Sequence, residues 1–329
     1  MVITRTPLRV SFFGGGTDYP AYFKRHGGAV LSTSIDKYVY VTVSRLGCLF
    51  DHKLRVAYSK TELVKTAAEI QHPSVKACLS HLGIKDGLEI SVTTDLPART
   101  GLGSSSSFTV GLLKGLHSLQ GRLVENSALA AEAIHLEQNV IGERVGNQDQ
   151  VAAALGGFNF IQFSKDGSFL AEPLPVMPGR RQELFSRLFL VYTGISRFAD
   201  EVLVEQCANV ENRLAELAAI KSLAIQGREI LCDERHPISD FGALLHHAWT
   251  EKKKLSSRIS TGPIEQIYNT ARDAGATGGK LLGAGGGGFL LIFAEPDKRP
   301  NLRTALANYE IIDFHPDNSG SSLVYYHPG

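Results

Sequence analysis

Gly101-Leu102-Gly103-Ser104-Ser105-Ser106-Ser107 places flexible glycines directly before a run of hydroxyls, a combination suited to holding phosphate. The preceding Glu89-Ile-Ser-Val-Thr-Thr-Asp95 alternates apolar and polar as a half-buried strand does, and Leu96-Pro97 ends it. Beyond the serines, Phe108, Leu112, Leu116 and Leu119 recur at helical spacing. The glycines therefore form a bend and the serines open a helix. There, unpaired N–H groups and a partial positive charge favour an anion. The loop lacks the Gly-Lys-Ser/Thr ending of a Walker A sequence, so it is no ordinary P-loop. Helix N-capping by serine is the competing reading.

Two further glycine clusters shift the balance. Gly14-Gly15-Gly16-Thr17-Asp18 follows the strand-like Leu8-Arg9-Val10-Ser11-Phe12-Phe13. Gly278-Gly279-Lys280-Leu-Leu-Gly283-Ala284-Gly285-Gly286-Gly287-Gly288 precedes Phe289-Leu-Leu-Ile-Phe293, which reads as a buried strand. Glycine beside a strand costs stability, and close backbone approach to a ligand or another loop is the usual reason for it.

Arg5-Thr-Pro-Leu-Arg-Val-Ser-Phe-Phe-Gly-Gly-Gly-Thr-Asp18, Pro97-Ala-Arg-Thr-Gly-Leu-Gly-Ser-Ser-Ser-Ser107 and Lys280-Leu-Leu-Gly-Ala-Gly-Gly-Gly-Gly-Phe289 resemble the three motifs of the GHMP small-molecule kinases. Gly14-Gly-Gly-Thr-Asp18, Ile35-Asp-Lys-Tyr38, Gly146-Asn-Gln-Asp-Gln150 and Trp249-Thr-Glu-Lys-Lys253 are most similar to the bacterial heptose 7-phosphate kinases. The resemblance runs from Arg5 to about Phe293. It implies an α+β fold of two domains: an N-terminal one of the ribosomal-protein-S5-like domain 2 type with a left-handed βαβ unit, and a ferredoxin-like C-terminal one. We place them at residues 1–178 and 179–329, because Pro173, Pro175 and Pro178 crowd the junction.

The activity implied is ATP-dependent phosphorylation of the anomeric hydroxyl of D-glycero-D-manno-heptose 7-phosphate to the 1,7-bisphosphate. Kinases for free heptose or another sugar such as fucose, and a catalytically silent sugar- or nucleotide-binding sensor, are the alternatives. Such a transfer needs a phosphate cradle, a magnesium ion on few protein ligands and a carboxylate near the acceptor hydroxyl. By the resemblance, Asp149 is the catalytic carboxylate and Arg9 lies beside it. Gly101, Leu102, Gly103, Ser104, Ser105 and Ser106 hold ATP, while Ser105, with Ser104 as its neighbour alternative, and Glu137 take Mg²⁺. Glu132 and Glu143 compete with Glu137. On one continuous helix Glu137 and Asp149 would lie about 120° apart, so the helix must end between them. Asp149 or Asn147 could instead cap the short apolar helix that follows. Gly15, Gly16, Thr17, Asp18, Gly285 and Gly286 face the acceptor. Lys37, Arg197, Lys252 and Lys253 are candidates for its phosphate, and Lys280 supports the third loop. Galactokinase has Gly-Glu-His where this chain has Gly14-Gly15-Gly16, which counts against galactose.

Composition agrees with a soluble intracellular enzyme, and the resemblance implies a cytoplasmic one acting on a small sugar phosphate. With 329 residues, 43% hydrophobic, and a net charge of +1, the chain can bury a large core and implies no nucleic-acid or membrane partner. No apolar run approaches the ~20 residues of a membrane span. Nothing basic-then-apolar resembles a leader. Cys48, Cys78, Cys207 and Cys232 are scattered and read as reduced thiols. A homodimer is left open. Adjacent His246 and His247 point about 100° apart on a helix and read as structural. Further elements are expected as a strand over Tyr38–Val43, a helix over Ser127–Glu143, a strand over Phe158–Phe163 and a strand over Leu188–Tyr192. Helices at about 200–219, 241–254 and 263–274 and strands near 311–315 and 323–326 complete the expectation.

Overall fold

The computed structural model describes residues 1–195, 204–205 and 209–327. β1 (Val2–Phe13), β2 (Gly28–Arg45), β3 (Leu54–Ala57), β4 (Thr61–Val64), β5 (Leu88–Thr94), β6 (Phe158–Phe163) and β7 (Phe169–Pro173) come first, then β8 (Leu188–Tyr192), β9 (Gly278–Leu281), β10 (Phe289–Phe293), β11 (Ile311–Ile312) and β12 (Ser322–Tyr326). One eight-stranded sheet runs β12-β1-β2-β5-β3-β4, with β6 on the first half of β2 and β7 on β6. A second, four-stranded antiparallel sheet runs β11-β8-β10-β9. Read from β8, that is the strand order 4-1-3-2 of a ferredoxin-like unit.

β1 is buried on both sides over its second half, Arg9 and Ser11 included, because both faces are covered. The helix Ser104–Leu119 lies on one of them. It comes close through Gly111, where a Cβ would stand 2.7 Å from Thr6 Oγ1, and Gly115, where one would stand 3.1 Å from Val43 Cγ2. From elsewhere in the chain, Phe241 packs edge-on against Phe13 at 5.0 Å. The helix Leu214–Cys232 approaches the Phe13 ring through Gly227. This packing fixes the end of β1 that leads into Gly14–Asp18.

Pro7, without an N–H, marks a break in the β1–β2 ladder: Pro7 faces Tyr38 but Leu8 faces Ile35, so Asp36 and Lys37 bulge out. The bulge is held by His315, whose N–H donates to Asp36 Oδ1 at 2.9 Å, and by Asp36 N–H donating to His315 O at 2.8 Å. The expected helix over 127–143 appears as Asn126–His135 continued by a wider π turn, Leu136–Ile141, and stopped by Gly142 at φ 81°. It does end before Asp149, which lies in the separate helix Gln148–Leu155.

The helices expected near 241–254 and 263–274 are Ser239–Lys253 and Gly262–Asp273. The one expected at 200–219 is described as Leu214–Cys232, and much of its expected first part falls outside the described residues. The proline-dense stretch falls between the two sheets: β7, an edge strand of the first, ends on Pro173, and β8 opens the second at Leu188. Residue 178 opens the helix Pro178–Ser186. The segment 179–329 is not confined to the second sheet, for β12 pairs with β1, with Val2 opposite Tyr326. Among the described residues, no helix is long and apolar enough to cross a membrane.

Candidate active site

Arg9, on β1, and Asp149, in the first turn of Gln148–Leu155, meet as a two-pronged ion pair. Nε donates to Oδ1 at 2.8 Å and Nη2 to Oδ2 at 2.9 Å. The third guanidinium nitrogen, Nη1, donates to Gly101 O at 2.5 Å, and Arg9 N–H donates to Leu102 O at 3.0 Å. One arginine thus joins the carboxylate to the glycine–serine loop. Glycine is favoured at 103, where φ is 76° and a Cβ would press on Arg9 Cγ at 3.2 Å and Asp149 Oδ2 at 3.4 Å. Arg9 is nearly enclosed, with 4% of its side chain exposed, while Asp149 keeps 25% and so stays reachable. The capping role does not materialise. Asn147 occupies the N-cap position without a side-chain cap bond, and its Oδ1 accepts instead from Gln138 Nε2 at 2.7 Å. Gly103 likewise replaces serine as the N-cap of Ser104–Leu119.

Asp18 is buried close to this pair. It accepts from Gly16 N–H at 2.9 Å and Gln148 N–H at 3.3 Å. Gly146 lets it in, for a Cβ there would lie 1.9 Å from Asp18 Oδ2. Burial pushes its carboxyl up to about 6, and the charge of Asp149 adds to the rise. Gly15 opens onto two buried polar atoms without hydrogen-bond partners among the described residues, Ser11 Oγ and Gln148 Oε1. A Cβ at Gly15 would stand 3.8 Å from the former and 3.6 Å from Gln148 Nε2.

Glu137 sits in the first turn of the π segment, fully buried. Its Oε2 accepts from Ser106 Oγ at 2.9 Å and from Gln150 Nε2 at 2.5 Å; its Oε1 makes no hydrogen bond among the described residues, though the Thr109 hydroxyl is near enough to ease the buried charge. Burial raises this carboxyl to about 7. The sequence expectation put Ser105 here. The structure puts Ser106 against Glu137 and leaves Ser105 exposed, because these serines are already helical and only one face of the turn looks inward. A serine hydroxyl and a carboxylate with one buried oxygen that makes no such hydrogen bond fit a magnesium ion, which takes few protein oxygens. Glu132 is engaged elsewhere, by His81 and His117, both at 2.9 Å.

The third cluster turns its glycines toward the second. A Cβ at Gly101 would lie 2.5 Å from Leu282 O, one at Gly283 2.5 Å from Gly101 Cα, and one at Gly288 2.2 Å from Thr100 O. The close approach is therefore loop against loop. Gly285 packs against Ile259, and Gly286 N–H donates to Ile259 O at 2.9 Å, so that donor is already used.

Several expected acceptor contacts are likewise engaged within the protein. Thr17 Oγ1 lies 2.8 Å from Gly14 O and 3.0 Å from Ala29 O, and it accepts from Ala29 N–H at 3.1 Å. Lys37 pairs with Asp36 of its own bulge at 3.2 Å, and Lys253 with Glu265 at 3.2 Å. Lys252 is buried against Leu281 O and Gly283 O. Arg197 lies outside the described residues. His246 bonds Tyr268 Oη at 2.7 Å, in keeping with a structural role, and no metal-binding cluster of His, Cys, Asp or Glu occurs among the described residues. Sequence reasoning gave no role to Gln138, Gln148 or Gln150. For Gln148 and Gln150 the signal was present in the Gly146-Asn-Gln-Asp-Gln150 string, but side-chain partners cannot be read from a string, and Gln138 lies outside it.

Residues 62–157 match the GHMP kinases N terminal domain and residues 230–311 the GHMP kinases C terminal domain. The chain is 32% identical over 317 residues, 92% of each protein, to the D-glycero-alpha-D-manno-heptose 7-phosphate kinase of Campylobacter jejuni. It is 27% identical over 332 residues to the bifunctional fucokinase/GDP-fucose pyrophosphorylase of Arabidopsis thaliana, covering 93% of this chain and 31% of that protein. Among solved structures, a D-glycero-D-manno-heptose 1-phosphate kinase from Bacteroides thetaiotaomicron superposes with a TM-score of 0.80 at 24% identity, over 99% of this chain and all of the other.

Proposed function

The chain belongs to the GHMP kinases and is a sugar kinase, and we propose that it moves the γ-phosphoryl group of ATP to the anomeric hydroxyl of D-glycero-D-manno-heptose 7-phosphate. The observation that carries the reading is the Arg9–Asp149 pair, joined to the glycine–serine loop on one side and flanked by buried Asp18 on the other. The likeness to the Campylobacter kinase over nearly the whole chain supports the heptose 7-phosphate.

Phosphoryl transfer asks the protein mainly for position and charge. The N-terminus of Ser104–Leu119 and the N–H groups of the loop receive the nucleotide phosphates. Ser106 and Glu137 would hold magnesium, which neutralises phosphate charge when bound. Asp18, with Gly15 and Gly16 leaving room beside it, accepts hydrogen bonds from sugar hydroxyls. Asp149 orients the attacking hydroxyl and takes its proton; each of its oxygens keeps a lone pair beyond those given to Arg9. Arg9 fixes that carboxylate in one orientation.

ADP release with Mg-ATP, measured across heptose 7-phosphate, free manno-heptose, mannose, fucose, galactose and mevalonate, tests the reading. Turnover should be strongest with heptose 7-phosphate. Asp149→Ala should lower kcat by about 10²–10⁴-fold, the range of a lost general base. Preference for the unphosphorylated heptose or for fucose would replace the substrate assignment, and full activity in the variant would remove Asp149 from its role.

A further inference from the structure

Two lysines lie deep between the glycine-rich segments, and the transfer just described uses neither. Lys280, 5% exposed, donates from Nζ to the carbonyls of Ser11 at 3.1 Å and Phe12 at 2.9 Å. Lys252, 9% exposed, donates to Leu281 O at 2.8 Å and Gly283 O at 2.6 Å. Both grip backbone carbonyls, and each grips a different segment from its own. Burying an ammonium is costly unless it is well bonded. A leucine or methionine of similar length would fill the space more cheaply, so the charge calls for a reason. For both lysines burial works against the charge, lowering Lys280 to about 7, and the nearby cations reinforce the effect.

What each lysine holds differs. The carbonyls under Lys252 flank Leu282, and Leu282 O is the atom 2.5 Å from a Cβ at Gly101. Lys252 thus sets the turn on which the glycine–serine loop rests. The carbonyls under Lys280 lie at the end of β1, immediately before Gly14–Asp18. There Ser11 Oγ, buried and without a hydrogen-bond partner among the described residues, faces Gly15. The charge of Asp18 is also felt at Lys280.

We propose that Lys252 and Lys280 are positioning residues with separate duties, Lys252 seating the nucleotide loop and Lys280 seating the acceptor loop, so that three distant glycine segments form one site. The naming of the two loops rests on the kinase reading above. Lys252→Met and Lys280→Met keep the apolar stem and remove the donors. Lys252→Gln and Lys280→Gln retain an amide N–H, so that each position offers a second variant should the first fail to fold.

Mg-ATP affinity is read by calorimetry without any sugar. Acceptor KM is then read with whichever sugar the wild type turns over. Lys252→Met should weaken Mg-ATP by about tenfold, as for a loss of net hydrogen bonding near 1.4 kcal/mol, with acceptor KM within about twofold. Lys280→Met should do the reverse, and the Gln variants should recover part of each loss. Lowered thermal stability with both constants unchanged, or each variant weakening both ligands equally, would overturn the division of labour. A wild type inert toward every sugar would defeat the substrate assignment while leaving the Lys252 titration decisive by itself.

Discussion

Asp18 carries opposing demands on stability and on binding. Its carboxyl is raised to about 6 in the folded chain, against roughly 3.9 when unfolded. The folded state therefore holds the proton more tightly, so this group's stabilising contribution is complete below about pH 4 and is lost as pH rises through about 6. The loss amounts to roughly 3 kcal/mol. Accepting sugar hydroxyls requires the ionised form, so kcat/KM for the acceptor should climb through the same window. Thermal melts of the ligand-free protein and acceptor kinetics between pH 4.5 and 8 should thus slope in opposite directions. Asp18→Asn should make both slopes shallower, the stability slope keeping the share of Glu137, raised to about 7, and should cut kcat/KM by about tenfold or more. A flat stability profile in the wild type would mean that Asp18 is not held as tightly as its surroundings indicate.

Individual glycines in the loops matter for different reasons. Gly101 has φ 82°, and a Cβ there would be 2.5 Å from Leu282 O, whereas Gly121 has φ 73° with open space around it. Gly121→Ala should therefore cost only the backbone term, about 1 kcal/mol. Gly101→Ala must also push the third segment away, and should cost about 2–4 kcal/mol and weaken Mg-ATP. Denaturant melts of the two variants separate strain from collision, and equal losses would show that loop-to-loop contact does not limit the site. The helix Ser104–Leu119 was legible from its spacing, and so was the need for a break between Glu137 and Asp149. Its Gly111 and Gly115 were not assigned, because their use appears only where β1 and β2 pass beneath them.

On the scale of the whole molecule, the chain closes on itself. β12 completes the edge of the large sheet beside β1, and Ser321 N–H donates to Ala154 O at 3.2 Å, at the C-terminal end of the helix that carries Asp149. Ending the chain at Ser321 should lower Tm by on the order of 5 °C or more. Arg9 pairs with Ser34 of β2, beyond the β12 ladder, so kcat per folded molecule should stay within about threefold. Differential scanning fluorimetry with active-site titration checks both, and an unchanged Tm would make β12 an appendage. Contacts between residues more than 300 apart leave no trace in local periodicity, which is why a contiguous second domain was a natural but incomplete reading.

The sequence by itself determined the chemistry. Its three glycine-rich motifs mark a kinase of this family by resemblance, while spacing alone did not choose Glu137 from Glu132 and Glu143. Strand and helix periods followed from local rules, so most elements near the motifs were found. The tertiary structure alone decided which atoms meet. It set Ser106, not Ser105, against Glu137, because only one face of a helical turn points inward. It engaged Thr17, Lys37 and Lys252 within the protein, because a buried or bulged polar group bonds the nearest partner. The resemblance had already put Arg9 beside Asp149, 140 residues away; the packing of β1 against the helix at Gln148 set the two-pronged geometry of the pair.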